Sequence, residues 1–160
     1  MEENQVEGFI PMNKLFLFIA LVGLLSLFGC ENELGDVPLP FQDFQDLQLN
    51  LDLPENRALN NDKGYIYRND IGVRGVIIYH ESGDNYYAYE RNCSYEPNGA
   101  CATVEVHSSG LYMIDNCCGS IFSFPNAFPT REPARSALRI YESSLQGRTL
   151  TITDNSANDR

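Results

Sequence analysis

Short segments with a two-residue hydrophobic period recur along most of this chain, and turn-forming residues separate them. The first segment is typical, because leucines alternate with polar residues at Leu47, Leu49, Leu51 and Leu53. This period predicts a half-buried strand, and Pro54 follows it as a turn signal. No segment has the period of an amphipathic helix of ordinary length. The pattern therefore predicts an all-β fold, an antiparallel sandwich or barrel.

About nine short strands are predicted, all within one domain over residues 43–156. The segments after the first lie at residues 64–68, 73–80, 86–89, 102–107, 111–114, 121–124, 137–141 and 150–153. Gly75 interrupts a β-branched run and indicates a bulge there. The sequence contains no internal repeat and gives no sign of a second domain.

The N-terminal part of the chain resembles an export signal. Lys14 precedes an apolar run, Leu15 to Phe28, which is short for a bilayer span of about 20 apolar residues. The run ends in Leu27-Phe28-Gly29-Cys30, which resembles the lipobox of bacterial lipoproteins. Residues 1–29 are therefore predicted to be a signal peptide, and Cys30 is predicted to be lipidated. The alternative is an ordinary signal peptide, or a short anchor helix, with an incidental cysteine.

Two further segments complete the predicted N-terminal organisation. Residues 1–11 carry three acids and look unlike a leader, so Met12 is predicted to be the true start. Residues 30–42 are polar, with Pro and Gly, and predict a flexible tether. The acidic residues of this tether resemble the export signal of some surface-displayed lipoproteins. The alternative is that they belong to an ordinary solvated linker. The expected location is the cell envelope outside the cytoplasm, lipid-anchored, with the outer membrane favoured on its periplasmic or surface face.

The net charge of the chain limits the classes of partner that it can bind. Asp and Glu total 22 against 11 Lys and Arg, which gives a formal net charge of −11. Such a surface repels phosphate backbones, so nucleic-acid binding is not expected. The membrane is the one partner that the sequence indicates, through the lipid anchor, and no protein partner is identified.

Four cysteines follow Cys30, and an even number in an oxidising compartment indicates disulfides. They are Cys93, Cys101, Cys117 and Cys118. A bridge between sequence neighbours would strain the backbone, so bridges from the 93–101 loop to the 117–118 loop are favoured. One tetrahedral Zn²⁺ held by all four thiols is an alternative, which the adjacent pair makes awkward.

Two boxes around these cysteines resemble those of the Rieske [2Fe–2S] fold. Residues 92–97 read NCSYEP and residues 115–122 read DNCCGSIF, followed by Glu132-Pro133-Ala134, Leu138, Tyr141 and Leu150-Thr151-Ile152. Rieske proteins carry C-x-H, then C-P-x-H-G-S-x-F, then a Gly-Pro-Ala loop and a closing Leu…Tyr strand. The resemblance covers residues 43–154, approximately, and is greatest to envelope lipoproteins that carry this domain in divergent form. It implies a Rieske-like arrangement of the predicted strands.

The resemblance also implies that the cluster ligands have changed. A Rieske cluster needs two thiolates on one iron and two imidazoles on the other. Cys93 stands at the first thiolate position, Tyr95 at the first histidine, Asp115 at the second thiolate and Cys118 at the second histidine. Only one ligand in four is kept in kind, so the standard cluster is expected to be absent and no cofactor is expected.

The same resemblance implies a disulfide pairing. Cys101 and Cys117 fall near the supporting bridge of some Rieske proteins, which makes this the first pairing. Cys93 and Cys118 would then lie where the ligands once converged, close enough for a second bridge in place of the metal. The alternative is an altered iron–sulfur cluster that uses Cys93, Tyr95, Asp115 and Cys118.

The sequence contains no recognisable catalytic machinery. His80 and His107, its two histidines, lie outside both boxes and are expected at strand ends or on the surface. A Ser-His-Asp set, a phosphate-binding glycine loop and an H-E-x-x-H motif are all missing. We expect a membrane-anchored Rieske-like domain without its cluster, in a structural or binding role. The alternatives are an electron-transfer lipoprotein with an altered [2Fe–2S] ligand set and an envelope thiol/disulfide redox protein.

Overall fold

A computed structural model describes residues 38–156 as ten strands and one short 3₁₀ helix. In chain order the strands are β1 (Leu47–Asn50), β2 (Tyr65–Arg68), β3 (Val76–Ser82), β4 (Asn85–Glu90), β5 (Val104–Val106), β6 (Tyr112–Asp115), β7 (Ile121–Ser123), β8 (Pro129–Arg131), β9 (Ile140–Gln146) and β10 (Thr149–Ser156). The 3₁₀ helix, Pro54–Asn60, follows β1. The described residues belong to one compact unit.

The strands form two antiparallel sheets. The six-stranded sheet has the order β1-β10-β9-β4-β3-β2, and the four-stranded sheet has the order β5-β6-β7-β8. The all-β, antiparallel prediction is confirmed, with ten strands where about nine were expected. No helix among residues 38–156 is long and apolar enough to cross a membrane. The predicted signal peptide, Cys30 and the first part of the tether lie outside the described residues.

Burial on both faces explains the apolar run at the start of β3. Val76 and Ile78 pack in one core cluster with the leucines of the N-terminal segment. Ile77 and Tyr79 point the other way and pack in a second cluster, which also contains Cys93. A strand covered on both sides loses the apolar–polar alternation that marks a half-buried strand.

Three details differ from the sequence expectations. β8 was missed because three residues beginning with Pro129 are too few to display a period. The 3₁₀ helix was also missed, although its two buried residues, Asn56 and Leu59, are spaced by the three residues of one turn. The predicted bulge at Gly75 is wrong. Gly75 lies before β3, with φ of +91° and its backbone close to the carbonyl of Arg68. The irregularity in the pairing of β3 with β4 falls instead between His80 and Ser82.

A buried carboxylate holds the end of β4. Glu90 is only 2% exposed, and its two oxygens accept four hydrogen bonds. The backbone N–H groups of Arg74 and Asn92 donate to Oε1 at 3.0 and 2.9 Å. The backbone N–H of Val73 and the hydroxyl of Tyr141 donate to Oε2 at 2.8 and 2.7 Å. Glu90 therefore ties together three parts of the chain where the segment after β4 begins.

We expect Glu90→Gln to lower the free energy of unfolding by about 3 kcal/mol, because its NH₂ group would face donors and leave them unpaired. Tyr141→Phe is the matched control, since it removes a single hydrogen bond and should cost about 1–2 kcal/mol. Urea unfolding of both variants measures the difference. A loss for Glu90→Gln no larger than that for Tyr141→Phe would contradict this role.

Candidate functional site

Two loops meet at one end of the four-stranded sheet. In the pairing of β5 with β6, Val104 lies opposite Asp115. The loop of residues 91–103, which we call the first loop, enters β5 at this end. The turn of residues 116–120, which we call the second loop, leaves β6 at the same end. The strand register therefore brings together the two boxes that the sequence analysis singled out.

A disulfide joins the two loops. Cys101 of the first loop and Cys117 of the second are bonded, with their Cα atoms 5.8 Å apart. This is the first pairing that the Rieske resemblance implied. With two of the four thiols bridged, a zinc site using all four cysteines does not fit the structure.

Beneath this disulfide, three potential ligands converge. Cys93, Asp115 and Cys118 each offer one ligand atom, and these atoms lie within 4.8 Å of one another. Cys93 and Asp115 are fully buried, whereas Cys118 is half-buried. Three of the four predicted ligand positions are therefore together in space. We call these three residues the thiol–carboxylate cluster.

The second predicted bridge is not formed in the structure. The sulfur atoms of Cys93 and Cys118 lie 3.9 Å apart, whereas a disulfide requires ~2.05 Å. The Cys118 thiol is held by another partner, because it donates to Ser120 Oγ at 3.1 Å. The Ser120 N–H also points at the same sulfur, at 3.4 Å. Both cysteines are therefore thiols here, and a Cys93–Cys118 disulfide stays a prediction for the oxidised chain.

The surroundings of Cys93 favour its protonated form. Burial first, and the neighbouring Asp115 carboxylate second, raise the pKa of the Cys93 thiol well above its ordinary value. A thiol with a raised pKa is a poor nucleophile at neutral pH, since the thiolate is the reactive species. The geometry therefore does not favour a thiol–disulfide exchange centre at Cys93.

Asp115 has one oxygen engaged and one without a partner. Its Oδ1 accepts a hydrogen bond from the backbone N–H of Cys117 at 2.7 Å. Its Oδ2 is buried and has no hydrogen-bond partner among the described residues. Unpaired buried polar atoms are uncommon in proteins and require an explanation.

Tyr95 occupies the fourth predicted ligand position, at the edge of this region. It is half-buried and packs against the core cluster that contains Cys93. A hydrogen bond to Glu96, together with the charge of that residue, raises the pKa of the Tyr95 phenol. Tyr95 therefore offers a phenol at a position where a Rieske cluster requires an imidazole.

A third segment, residues 132–136 after β8, also reaches this site. The backbone N–H of Ala134 donates to Ser120 Oγ at 2.9 Å. Ser94 Oγ in the first loop donates to the carbonyl of Ser136 at 2.6 Å. The segment after β8 therefore contacts both loops.

The sequence analysis missed one residue that positions the first loop. Arg74 donates through Nε to Asn92 Oδ1 at 2.6 Å, and its guanidinium also donates to the carbonyls of Ala100 and Gly99. The side chain thus spans the loop from its first residues almost to Cys101. No local signal could have found it, because Arg74 precedes β3 and reaches the loop only through the sheet register.

Both histidines lie away from the cluster. The ring of His80 is only 5% exposed, contacts the carbonyl oxygens of Asn61 and Gly83 and stacks on Tyr86. The expectation of an exposed or strand-end position is therefore wrong for His80, which lies within β3 and is covered by its neighbours. His107 follows β5, contacts Ser109 and stacks on Tyr112.

The residues present do not fit a Rieske [2Fe–2S] cluster. That cluster requires two thiolates and two imidazoles, divided between two irons. The corresponding positions here supply two thiols, one carboxylate and one phenol. Each histidine ring has its own contacts outside both loops, so neither supplies a missing imidazole.

Comparisons with known proteins give distant likenesses only. No protein-family model matches the chain, and no curated protein is similar to it. A chain of the complex of reduced oxygenase and oxidized ferredoxin in carbazole 1,9a-dioxygenase has 18% identity and a TM-score of 0.44, covering 60% of this chain and 85% of that chain. The ferredoxin of carbazole 1,9a-dioxygenase from Nocardioides aromaticivorans IC177 has 16% identity and a TM-score of 0.41, covering 58% and 86%. At these values the function of those proteins does not transfer to this chain.

We expect the double variant Cys101→Ser and Cys117→Ser to have a free energy of unfolding lower by about 3 kcal/mol. The bridge closes a short loop in the unfolded chain, and losing that restriction costs about this much. Its sequence separation is 16 residues. Urea unfolding with and without reductant measures the effect. Reductant should destabilise the unmodified chain and leave the double variant unchanged. Equal stability of both chains under oxidising conditions would contradict the bridge.

Proposed function

We propose that this chain is a lipid-anchored envelope protein whose Rieske-like domain has lost its [2Fe–2S] cluster and has a structural or binding role. One observation carries the proposal. The two loops still converge as the boxes require, but they bring together Cys93, Asp115 and Cys118 instead of paired thiolates and imidazoles.

The box residues that persist have structural roles that need no metal. Gly119 has φ of +82°, a conformation that favours glycine. Ser120 is fully buried and links Cys118 to the backbone of Ala134. Phe122 is fully buried in the core. These roles explain why Gly119, Ser120 and Phe122 can be retained when the cluster ligands of the second box are not.

Two alternatives are less well supported by this geometry. An altered cluster would need oxygen ligands at Tyr95 and Asp115, and oxygen is a poor substitute for imidazole or thiolate on these irons. A thiol/disulfide redox protein would need an activated thiol, and the pKa of Cys93 is raised. The absence of histidine from the cluster supports a non-catalytic role.

Restoring the ligands tests the loss of the cluster. We expect the triple variant Tyr95→His, Asp115→Cys and Cys118→His to acquire a reddish-brown [2Fe–2S] cluster on anaerobic reconstitution, because the loop frame is retained. The unmodified chain, and the single variant Tyr95→His as control, should bind no stoichiometric iron and sulfide. Visible absorption with iron and sulfide analysis gives the result.

Both possible failures of this experiment are informative. Stoichiometric iron and sulfide in the unmodified chain would overturn the proposed loss. A triple variant that retains its circular dichroism spectrum and still binds no cluster would overturn the proposed Rieske-like geometry of the loops.

The anchor is tested separately at Cys30. We expect the unmodified chain to carry acyl chains at its N-terminus and to partition with membranes, because two or more chains hold a protein stably at a bilayer. Cys30→Ser should lose the lipid mass and move to the aqueous fraction. Intact mass and detergent phase partition measure both effects. Membrane retention of Cys30→Ser equal to that of the unmodified chain would contradict lipid anchoring.

A further inference from the structure

One oxygen of Asp115 is buried beside the Cys93 thiol without a well-formed hydrogen bond. Asp115 is 0% exposed, and its Oδ2 has no hydrogen-bond partner among residues 38–156. A buried carboxylate oxygen without a partner is costly, and the cost is removed by a cation or a donor at that oxygen. The nearest side chains able to share a cation with it are Cys93 and Cys118.

The separation of the two sulfurs matches a shared metal ion. Two thiolates on one tetrahedral ion with metal–sulfur bonds of ~2.3 Å have their sulfurs about 3.8 Å apart. Cys93 Sγ and Cys118 Sγ lie 3.9 Å apart, which is far too long for a disulfide. The carboxylate ligand atom lies within 4.8 Å of both sulfurs, so the three side chains face one common position.

We propose that the thiol–carboxylate cluster binds one divalent cation of the zinc type, through Cys93 Sγ, Cys118 Sγ and Asp115 Oδ2. Two sulfurs and one oxygen suit borderline ions such as Zn²⁺ and Co²⁺, whereas Mg²⁺ and Ca²⁺ prefer oxygen alone. The inference rests on the proposed loss of the [2Fe–2S] cluster, because the same side chains cannot hold both. It requires neither Cys101 nor Cys117, which remain in their disulfide.

Neighbouring backbone groups are placed to orient these ligands. The N–H of Cys117 holds Oδ1 of Asp115 at 2.7 Å, which leaves Oδ2 for the ion. The N–H of Ser120 lies 3.4 Å from Cys118 Sγ and would stabilise the thiolate. Hydrogen bonds of this kind fix metal ligands in position and tune their affinity.

Binding is an exchange of protons for metal and involves no electrons. The two S–H bonds break, two metal–sulfur bonds form, and both protons pass to water. Three protein ligands leave a fourth tetrahedral position. Cys93 is fully buried and Cys118 is half-buried, so the fourth position opens on the side of Cys118, where water can occupy it.

Cobalt titration of the full chain tests the site. We expect one Co²⁺ per chain, with thiolate-to-cobalt charge transfer and the intense visible bands of tetrahedral cobalt, displaced by Zn²⁺. Cys118→Ser should abolish the charge transfer, and Asp115→Asn should weaken binding by roughly tenfold or more. Asp70→Asn, at an exposed carboxylate paired with Arg68, is the matched control and should bind as the unmodified chain does.

A second background guards against misfolding and adventitious thiols. In the variant Cys30→Ser, Cys101→Ser and Cys117→Ser, Cys93 and Cys118 are the only cysteines left, and binding of one cobalt ion should persist there under reductant. Circular dichroism checks that each variant is folded. Equal affinity in Cys118→Ser and the unmodified chain would overturn the site.

Further analyses separate this inference from the proposed function. A chain isolated without reductant that holds a Cys93–Cys118 disulfide and no metal overturns the cation site and leaves the loss of the cluster standing. Stoichiometric iron with inorganic sulfide overturns both. One zinc ion per chain without sulfide supports both.

Discussion

The convergence of the two loops is the constraint on which the rest of the site depends. The register that sets Val104 opposite Asp115 brings the ends of β5 and β6 together. The Cys101–Cys117 disulfide then joins the loops across their exposed side. Within that frame Cys93 and Cys118 meet without being bonded. The buried cluster is thus a consequence of strand pairing and one covalent bridge.

Buried polar side chains extend this frame into the rest of the domain. Glu90 gathers four donors at the end of β4 and so fixes where the first loop begins. Arg74 holds the rest of the first loop, because its guanidinium donates hydrogen bonds to a side-chain oxygen and a carbonyl oxygen of that loop. Because such groups are costly to leave unpaired, they hold the loop in one conformation. A domain that had lost its iron could keep its loop geometry by these means.

The sequence predicted the fold class well, because that class depends on local patterns. Alternation around Leu49 and turn signals indicated an all-β chain, and the box resemblance identified Cys93, Asp115 and Cys118 as neighbours. Arg74 could not be identified, because its contacts depend on a sheet register that no short motif encodes. The same limit applies to the distance between the two sulfurs. Burial of His80 was also missed, because its cover combines Tyr86 and Gly83 of the same hairpin with Asn61 from another segment.

The balance between thiolate and imidazole donors decides what this domain can hold. Cys93 and Cys118 provide sulfur, Asp115 provides oxygen, and both histidines lie in other contacts. Native mass spectrometry of the full chain, isolated without added reductant, tests that balance directly. The expected result is a native mass that does not include two irons and two sulfides. A species heavier by one intact [2Fe–2S] cluster would contradict the central claim that the cluster has been lost.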